Sequence, residues 1–180
     1  MHDATRPAPW DAEDGRVRDS NGTETKAALW RDLTESLNAL LTGEFDPTAN
    51  AANAAAAIYH TVPGLNWAGF YFLRDDTLVL GPFQGRPACT RIPIGAGVCG
   101  TAARERRSVL VPDVDAFPGH IACDSESRAE LVVPLLRDGA LLGVLDLDSP
   151  DLGRFDEADR AGAEALVRML VRHKLRSVLE

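Results

Sequence analysis

The chain has 180 residues, of which 45% are hydrophobic and 26% are charged, so its composition is that of one globular domain with a sizeable core. Its 19 Lys and Arg residues against 27 Asp and Glu residues give a net charge of −8, which argues against nucleic acid as a partner. No apolar run approaches the roughly 20 residues of a membrane span, and residues 1–22 lack the apolar centre of a signal peptide. We therefore expect a cytoplasmic protein that has no membrane partner.

The first residues show no sign of regular structure. Residues 1–25 are rich in Pro, Asp, Arg, Gly and Ser without apolar periodicity, so we interpret them as a mobile tail and expect the folded domain at 26–180. Hydrophobic periodicity and turn signals then predict, in chain order, a helix at 26–41, a helix from Pro47 to before Pro63, strands at 66–73, 77–83 and 87–94, two glycines that lead into a short helix within 95–107, strands at 108–114, 130–136 and 140–149, and a helix at 156–178.

The order of these elements predicts an α+β fold. Two strand pairs are joined by short polar turns, and the turn at Asp138-Gly139 is a strong hairpin signal. Antiparallel pairs of this kind form sheets with one face on the core and one face free for other uses. We expect a central antiparallel sheet with helices packed on one face and a loop-covered ligand pocket on the other.

The three cysteines, Cys89, Cys99 and Cys123, fit neither a disulfide framework nor a zinc site. A reducing cytoplasm keeps thiols free, and an odd number leaves at least one of them unpaired. Zinc ribbons place their ligands in close Cys-x2-4-Cys pairs, whereas His120 and Cys123 form the one close pair of potential ligands here. We expect neither a metal nor another cofactor.

Acidic side chains converge on the second hairpin. Asp146 and Asp148 are two apart in one strand and share a face, and Glu130 begins the partner strand, opposite them or nearly so. Carboxyl groups this close raise one another's pKa, so that one of them can stay protonated at neutral pH and act as a general acid. The alternative from spacing alone is a solvated, acidic strand end.

Aromatic and thiol side chains add to this picture. Trp67 and Tyr71 are four apart in one strand and share a face, either in the core or as an apolar wall for a ligand. Cys123 stands in the polar loop GHIACDSESRAEL, although free cysteines are commonly buried. A reacting thiol must become a thiolate, which neighbouring acids disfavour unless backbone amides or a positively charged substrate compensate.

Several motifs resemble those of one enzyme family. NWAGFYFL, GPFQGRPACTRIPIGAGVCGTA, VPDVDAFPGHIACDSESRAELVVPL and GVLDLDSP, followed by GRFDEAD, are similar to the free methionine-(R)-sulfoxide reductases, a family of small GAF-domain enzymes. The resemblance covers residues 26–175 and is specific, because these motifs include all three cysteines and the acids. It implies a GAF fold and reduction of free methionine-(R)-sulfoxide, with thioredoxin as the reductant. A non-catalytic GAF module that senses a small molecule is the alternative.

The resemblance also implies roles for the cysteines. Cys123 would be the nucleophile and Cys89 the resolving thiol, with Cys99 as a second redox-active candidate. Which of Cys89 and Cys99 resolves first stays open at this point. GAF relatives commonly pair through their terminal helices, so the apolar faces of helices 26–41 and 156–178 predict a homodimer.

The acids and aromatics receive substrate-binding roles from the same resemblance. Glu130, Asp146 and Asp148 would bind the substrate's ammonium group and sulfoxide oxygen, with Glu130 or Asp148 as the proton donor. The other residues assigned to the substrate are Trp67, Tyr71, Ile121 and Ala122. Of these, Trp67 and Tyr71 would enclose its methyl end.

Overall fold

Within the residues that the structure describes, 25–121, 125–173 and 175, the chain forms a six-stranded sheet and four α-helices. The structure is a computed structural model. Its α-helices are α1 (Lys26–Leu40), α2 (Pro47–Thr61), α3 (Gly97–Glu105) and α4 (Glu157–His173). Its strands are β1 (Trp67–Arg74), β2 (Thr77–Gly85), β3 (Arg91–Pro93), β4 (Val109–Val111), β5 (Ala129–Arg137) and β6 (Ala140–Ser149).

The sheet is antiparallel throughout and follows the order β3-β2-β1-β6-β5-β4. The β5–β6 turn has φ of 52° at Asp138 and 80° at Gly139, the left-handed conformation that a tight two-residue hairpin requires. Strand β6 therefore lies inside the sheet, between β1 and β5. This confirms the central antiparallel sheet that the sequence predicts.

Helices α1, α2 and α4 cover one face of the sheet. Alternate side chains of β1, β5 and β6 enter this core, among them Phe70, Leu131 and Leu145, all fully buried. Helices α1 and α4 approach closely at Gly162, where an added Cβ would lie 2.2 Å from Cγ of Trp30. The apolar stripes of both terminal helices are thus buried in the core of the chain itself.

A buried carboxylate joins the terminal helices to the loop before α4. Asp159 is 1% exposed and accepts hydrogen bonds from Trp30 Nε1 at 3.1 Å and Arg154 Nη1 at 3.0 Å. Lys26 Nζ also donates to Asp159 and to the exposed Asp156. The motif GRFDEAD therefore has a structural function, and none of its residues lines the pocket described below.

The opposite face carries a second, smaller apolar cluster and helix α3. Val98 and Ala102 of α3 pack there with Val132 of β5 and Val144 of β6. Gly100 permits the close approach of α3 to the preceding turn, since an added Cβ would lie 2.4 Å from the carbonyl oxygen of Pro93. The loop-covered face expected from the sequence thus includes a helix as well as loops.

Several predicted boundaries shift. The strand expected at 87–94 is confined to β3, because Pro87 removes a backbone donor at its start and the Tyr71 hydroxyl of β1 donates to the Cys89 carbonyl oxygen. The short helix that carries Cys99, expected after the opening glycines of 95–107, runs from Gly97 to Glu105. The predicted tail falls outside the described residues up to residue 24. Residue 174 and residues 176–178 of the last predicted helix also lie outside them, as do residues 179–180. Among the described helices, none has the length and apolarity that crossing a membrane requires.

Candidate active site

A small pocket opens on the face of the sheet opposite α1, α2 and α4. Its walls come from strands β3, β5 and β6, from the start of α3, and from the chain between the 3-10 turn at Val114–Ala116 and β5. The lining residues are Ile92, Ala96, Gly97, Val98, Cys99, His120, Ile121, Ser127, Glu130, Asp146 and Asp148. The predicted acids therefore lie in a pocket and not on a solvated rim.

Strand register brings the three carboxyl groups together. Glu130 is paired directly with Asp148, and Asp146 is paired with Val132 of β5 and Gly69 of β1. Directly paired residues in an antiparallel sheet point to the same face. Glu130 and Asp146 are each only 6% exposed, so two of the three acids are taken out of water.

Polar contacts link these acids to α3 and to the covering loop. The Cys99 thiol donates a weak hydrogen bond to Glu130 Oε1, with 3.9 Å between sulfur and oxygen. His120 Nε2 lies 3.8 Å from Glu130 Oε2. Oδ1 of Asp146 is buried and has no hydrogen-bond partner among the described residues. One carboxylate oxygen of Asp146, a residue that lines the pocket, therefore has unused hydrogen-bonding capacity.

Burial and mutual repulsion separate the proton affinities of these groups. Burial, and then the charges of Asp146 and Asp148, raise the pKa of Glu130 well above its ordinary value. Burial also raises the pKa of Asp146, to about 6, although hydrogen bonds with Cys99 and Glu130 act in the opposite direction. At neutral pH these shifts favour a protonated Glu130 beside an ionised Asp146. Two neighbouring carboxyl groups whose pKa values differ in this way can take separate acid and base roles. Burial raises the pKa of the Cys99 thiol as well, which keeps it protonated.

Trp67 and Tyr71 share the face of the acids but are buried beneath it, 2% and 1% exposed. Their rings stack with centroids 5.9 Å apart. Trp67 Nε1 donates to the Arg86 carbonyl oxygen at 3.1 Å, and the Tyr71 hydroxyl donates to the Cys89 carbonyl oxygen at 3.0 Å. Neither is among the described residues that line the pocket. In this structure they fix the segment that carries Cys89.

The predicted cysteines and loop residues are found in different settings. Cys99 is free, 4% exposed, and lines the pocket, whereas Cys89 is disulfide-bonded. Ile121 lines the pocket mouth. Ala122 and Cys123 lie outside the described residues, so the roles predicted for them stay predictions.

Some pocket residues escaped sequence reasoning. His120 was weighed only as a zinc partner of Cys123, yet its side chain is 15% exposed and faces Glu130. Ser127 also lines the pocket, and its hydroxyl accepts a hydrogen bond from Asn66 Nδ2 at 3.0 Å. At Gly97 an added Cβ would lie 3.2 Å from Cγ1 of Ile121. The glycines at the start of α3 were the one feature of the sequence that could have indicated a close approach of the loop to this helix.

An antiparallel sheet with helices on one face and a covered pocket on the other defines a GAF domain. In agreement, the family model described as GAF domain matches residues 48–170.

Comparison with individual proteins defines the family more narrowly. The free methionine-R-sulfoxide reductase of Escherichia coli (strain K12) is 49% identical over 145 residues, which cover 81% of this chain and 88% of that protein. The X-ray structure of free methionine-R-sulfoxide reductase from Neisseria meningitidis in complex with its substrate has 47% identity and a TM-score of 0.80, over 84% of this chain and 91% of that one. A putative GAF sensor protein from Burkholderia vietnamiensis has 56% identity and a TM-score of 0.80, over 83% and 95% of the two chains. The chain belongs to the free methionine-R-sulfoxide reductase family, a family of oxidoreductases, as its motifs predicted.

Proposed function

We propose that the protein reduces free methionine-(R)-sulfoxide to methionine by a cysteine cycle that thioredoxin regenerates in the cytoplasm. The observation that carries the proposal is the pocket itself, in which Glu130, Asp146 and Asp148 converge beside a loop that leads to Cys123. Relatives at 49% and 47% identity are named for this substrate, and one of them was solved with its substrate bound.

Asp146 is the group best suited to the substrate's ammonium. Its Oδ1 is buried and open to a hydrogen-bond donor, and a charge-assisted hydrogen bond is strongest where water is excluded. The stacked rings of Trp67 and Tyr71 share the face of the acids but lie outside the pocket lining, so the apolar wall for the methyl end that we propose for them stays a prediction. Ile121 lines the pocket from the loop, and the substrate-binding role predicted for Ala122 stays a prediction. A pocket that encloses the ammonium has no room for a peptide chain, which accounts for a free amino acid as substrate.

The chemistry begins at Cys123. Its thiolate attacks the sulfoxide sulfur while a protonated carboxyl, Glu130 or Asp148, gives a proton to the sulfoxide oxygen. Methionine leaves with its sulfur reduced by two electrons, and Cys123 is oxidised to a sulfenic acid. The Cys89 thiol then condenses with the sulfenic acid, which forms a disulfide and releases water. A thioredoxin dithiol reduces that disulfide and returns both thiols.

The states of the other two cysteines support this pairing. Cys89 is disulfide-bonded while Cys99 is free, in a chain that has three cysteines. The Cys99 thiol is also buried and hydrogen-bonded to Glu130, which makes it a poor nucleophile. We therefore assign Cys89 as the first resolving thiol and Cys99 as a neutral part of the pocket wall.

A coupled assay tests the activity. The protein is mixed with free methionine sulfoxide, thioredoxin and its NADPH-driven reductase, and NADPH consumption is followed. We expect turnover with the R epimer, and much less with the S epimer or with peptide-bound methionine sulfoxide. No consumption with the R epimer would reject the enzyme and favour the sensor alternative, to which the name of the Burkholderia relative points. Equal rates on peptide-bound substrate would reject the enclosed pocket.

Single-turnover experiments test the cysteine roles. One equivalent of substrate without reductant should convert Cys89 and Cys123 to a disulfide, seen by peptide mass after free thiols are blocked. Cys89→Ser should still form one methionine per enzyme but turn over slowly, and Cys123→Ser should form none. Cys99→Ser serves as the matched control and should keep its first turnover. If Cys99→Ser loses that turnover while Cys123→Ser keeps it, the nucleophile is Cys99.

A homodimer remains part of the proposal, but on a different surface. The apolar faces of α1 and α4 are buried in the chain's own core and are not available for pairing. Exposed apolar side chains do occur at the end of α1 and in the turn that follows it, where Leu40 is 46% and Phe45 85% exposed. Light scattering at micromolar concentration should give the mass of two chains, and Phe45→Ser should lower it. A single-chain mass for the unsubstituted protein would remove the dimer.

A further inference from the structure

Three metal-ligating side chains meet in the pocket, each from a different element. One ligand atom each from Cys99 of α3, Glu130 of β5 and Asp146 of β6 lie within 4.8 Å of one another. All three residues are buried. One ion could contact all three atoms after small side-chain rotations, because zinc–sulfur and zinc–oxygen bonds are roughly 2.0 to 2.3 Å long.

Two further observations point to a ligand at this cluster. Oδ1 of Asp146 is buried without a hydrogen-bond partner among the described residues, and Asp146 lines the pocket. A buried acceptor in that condition is destabilising, so an electrophilic ligand that contacts it is favoured. His120 Nε2 also lies 3.8 Å from Glu130 Oε2, which places an imidazole beside the cluster as a fourth ligand.

We propose that the pocket binds Zn²⁺ through Cys99, Glu130 and Asp146, with His120 or a water molecule in the fourth position. One sulfur, two carboxylates and an imidazole are a donor set that suits zinc, whereas Mg²⁺ and Ca²⁺ prefer oxygen alone. Coordination replaces the protons of the Cys99 thiol and of the Glu130 carboxyl group, and both are released to solvent. The site is assembled from residues far apart in sequence, which is why cysteine spacing alone did not indicate it.

The ion and the substrate compete for the same groups. Asp146 cannot hold an ammonium group and a metal ion at once, and an ion bound to Glu130 removes its capacity to donate a proton. Zn²⁺ is therefore an inhibitor that competes with methionine-(R)-sulfoxide. This consequence rests on the proposed function, whereas the binding of the ion does not.

Cobalt reports on the site directly, because a thiolate bound to Co²⁺ gives a charge-transfer band in the near ultraviolet. In the double variant Cys89→Ser, Cys123→Ser, the Cys99 thiol is the one sulfur of a cysteine that remains. Titration with Co²⁺ should produce the band with one ion per chain, and Zn²⁺ should abolish it. Adding Cys99→Ser should remove the band, and adding Asp146→Asn should raise Kd by at least roughly 100-fold, beyond the effect typical of outer-shell changes. Asp151→Asn, an exposed acid outside the pocket, should change nothing.

Two results would overturn the proposal. One is the absence of the band in the double variant at saturating Co²⁺, with far-ultraviolet circular dichroism showing that the variant is folded. The other is a band that persists after Cys99→Ser. In the unsubstituted enzyme Zn²⁺ should raise KM for the sulfoxide, leave kcat unchanged, and be reversed by a chelator. Binding without any effect on KM would leave the metal site standing and count against the proposed substrate pocket.

Discussion

The substitution Asp146→Asn, which replaces one carboxylate oxygen by an amide nitrogen, should chiefly weaken substrate binding. The carboxylate is 6% exposed, and its Oδ1 has no partner among the described residues, so in our proposal the ammonium group makes its hydrogen bond there without displacing another contact. Asn has the same shape but carries no charge. Loss of a charge-assisted hydrogen bond in a desolvated site costs about 2–3 kcal/mol. At 1.4 kcal/mol per factor of ten, KM should rise roughly 30- to 150-fold while kcat changes little.

The matched exchange at Glu130 should act on the chemical step instead. Glu130 lies opposite Asp148 in the strand register and contacts the Cys99 thiol, so Gln at this position keeps the shape and loses the transferable proton. Removing a general acid lowers kcat by roughly 10²- to 10⁴-fold. KM should stay within about threefold, because the ammonium group keeps its partner at Asp146.

The two effects are separated by measuring methionine formation in a single turnover over a range of substrate concentrations, since slow reduction by thioredoxin would mask a change in the chemical step. Asp151→Asn, outside the pocket, is the control for loss of a negative charge. If both Asp146→Asn and Glu130→Gln alter only KM, Glu130 is not the proton donor. Asp148→Asn would then be expected to carry the loss in kcat.

Three further substitutions test the supporting structure. Tyr71→Phe keeps the ring but removes the hydrogen bond to the Cys89 carbonyl, so disulfide formation after substrate addition should slow several-fold with KM unchanged, as followed by timed thiol blocking. Asp159→Ala should lower the free energy of unfolding in urea by about 3–5 kcal/mol. Asp156→Ala removes an exposed acid that accepts hydrogen bonds from the Ala158 and Asp159 amides, so it should cost only about 0.5–2 kcal/mol. Equal losses would contradict a buried ionic centre. Gly162→Ala should cost about 1–3 kcal/mol despite alanine's helix propensity, because its Cβ meets the indole of α1.

Local signals explain why most of the fold could be predicted from the sequence. Alternation of apolar residues predicted β6 with its observed bounds, and Asp46 caps α2 as expected, accepting a hydrogen bond from the Ala49 amide at 2.8 Å. The prediction of a strand at residues 87–90 was wrong, because long-range contacts determine the conformation of this segment. The Tyr71 hydroxyl binds the Cys89 carbonyl, an interaction between side chain and backbone that no periodicity reveals.

The candidate site likewise contains residues whose positions could be predicted from local signals and residues whose positions could not. Hairpin register follows from the turn and the alternation, so the meeting of Glu130 with Asp148 could be predicted. Cys99 and His120 enter the pocket from α3 and a loop, whose positions depend on packing against the sheet. Sequence spacing therefore indicated the acids on the pocket floor and not the thiol and imidazole above them.

The two faces of β6 show how the domain keeps costly carboxyl groups in place. Leu145 and Leu147 are fully buried against the helices, and Asp146 stands between them in sequence but on the opposite face. A slip of one residue in the β5–β6 register would expose both leucines and drive the carboxylates into the apolar core. The free energy of burying the leucines, about 1.5–3 kcal/mol for each side chain, therefore fixes the position of the acids. Desolvation makes the burial of Asp146 unfavourable for folding, but it also strengthens the contact of Asp146 with a cation. The apolar packing on the helix-covered face therefore offsets the cost of burying a carboxylate that the pocket face needs for binding.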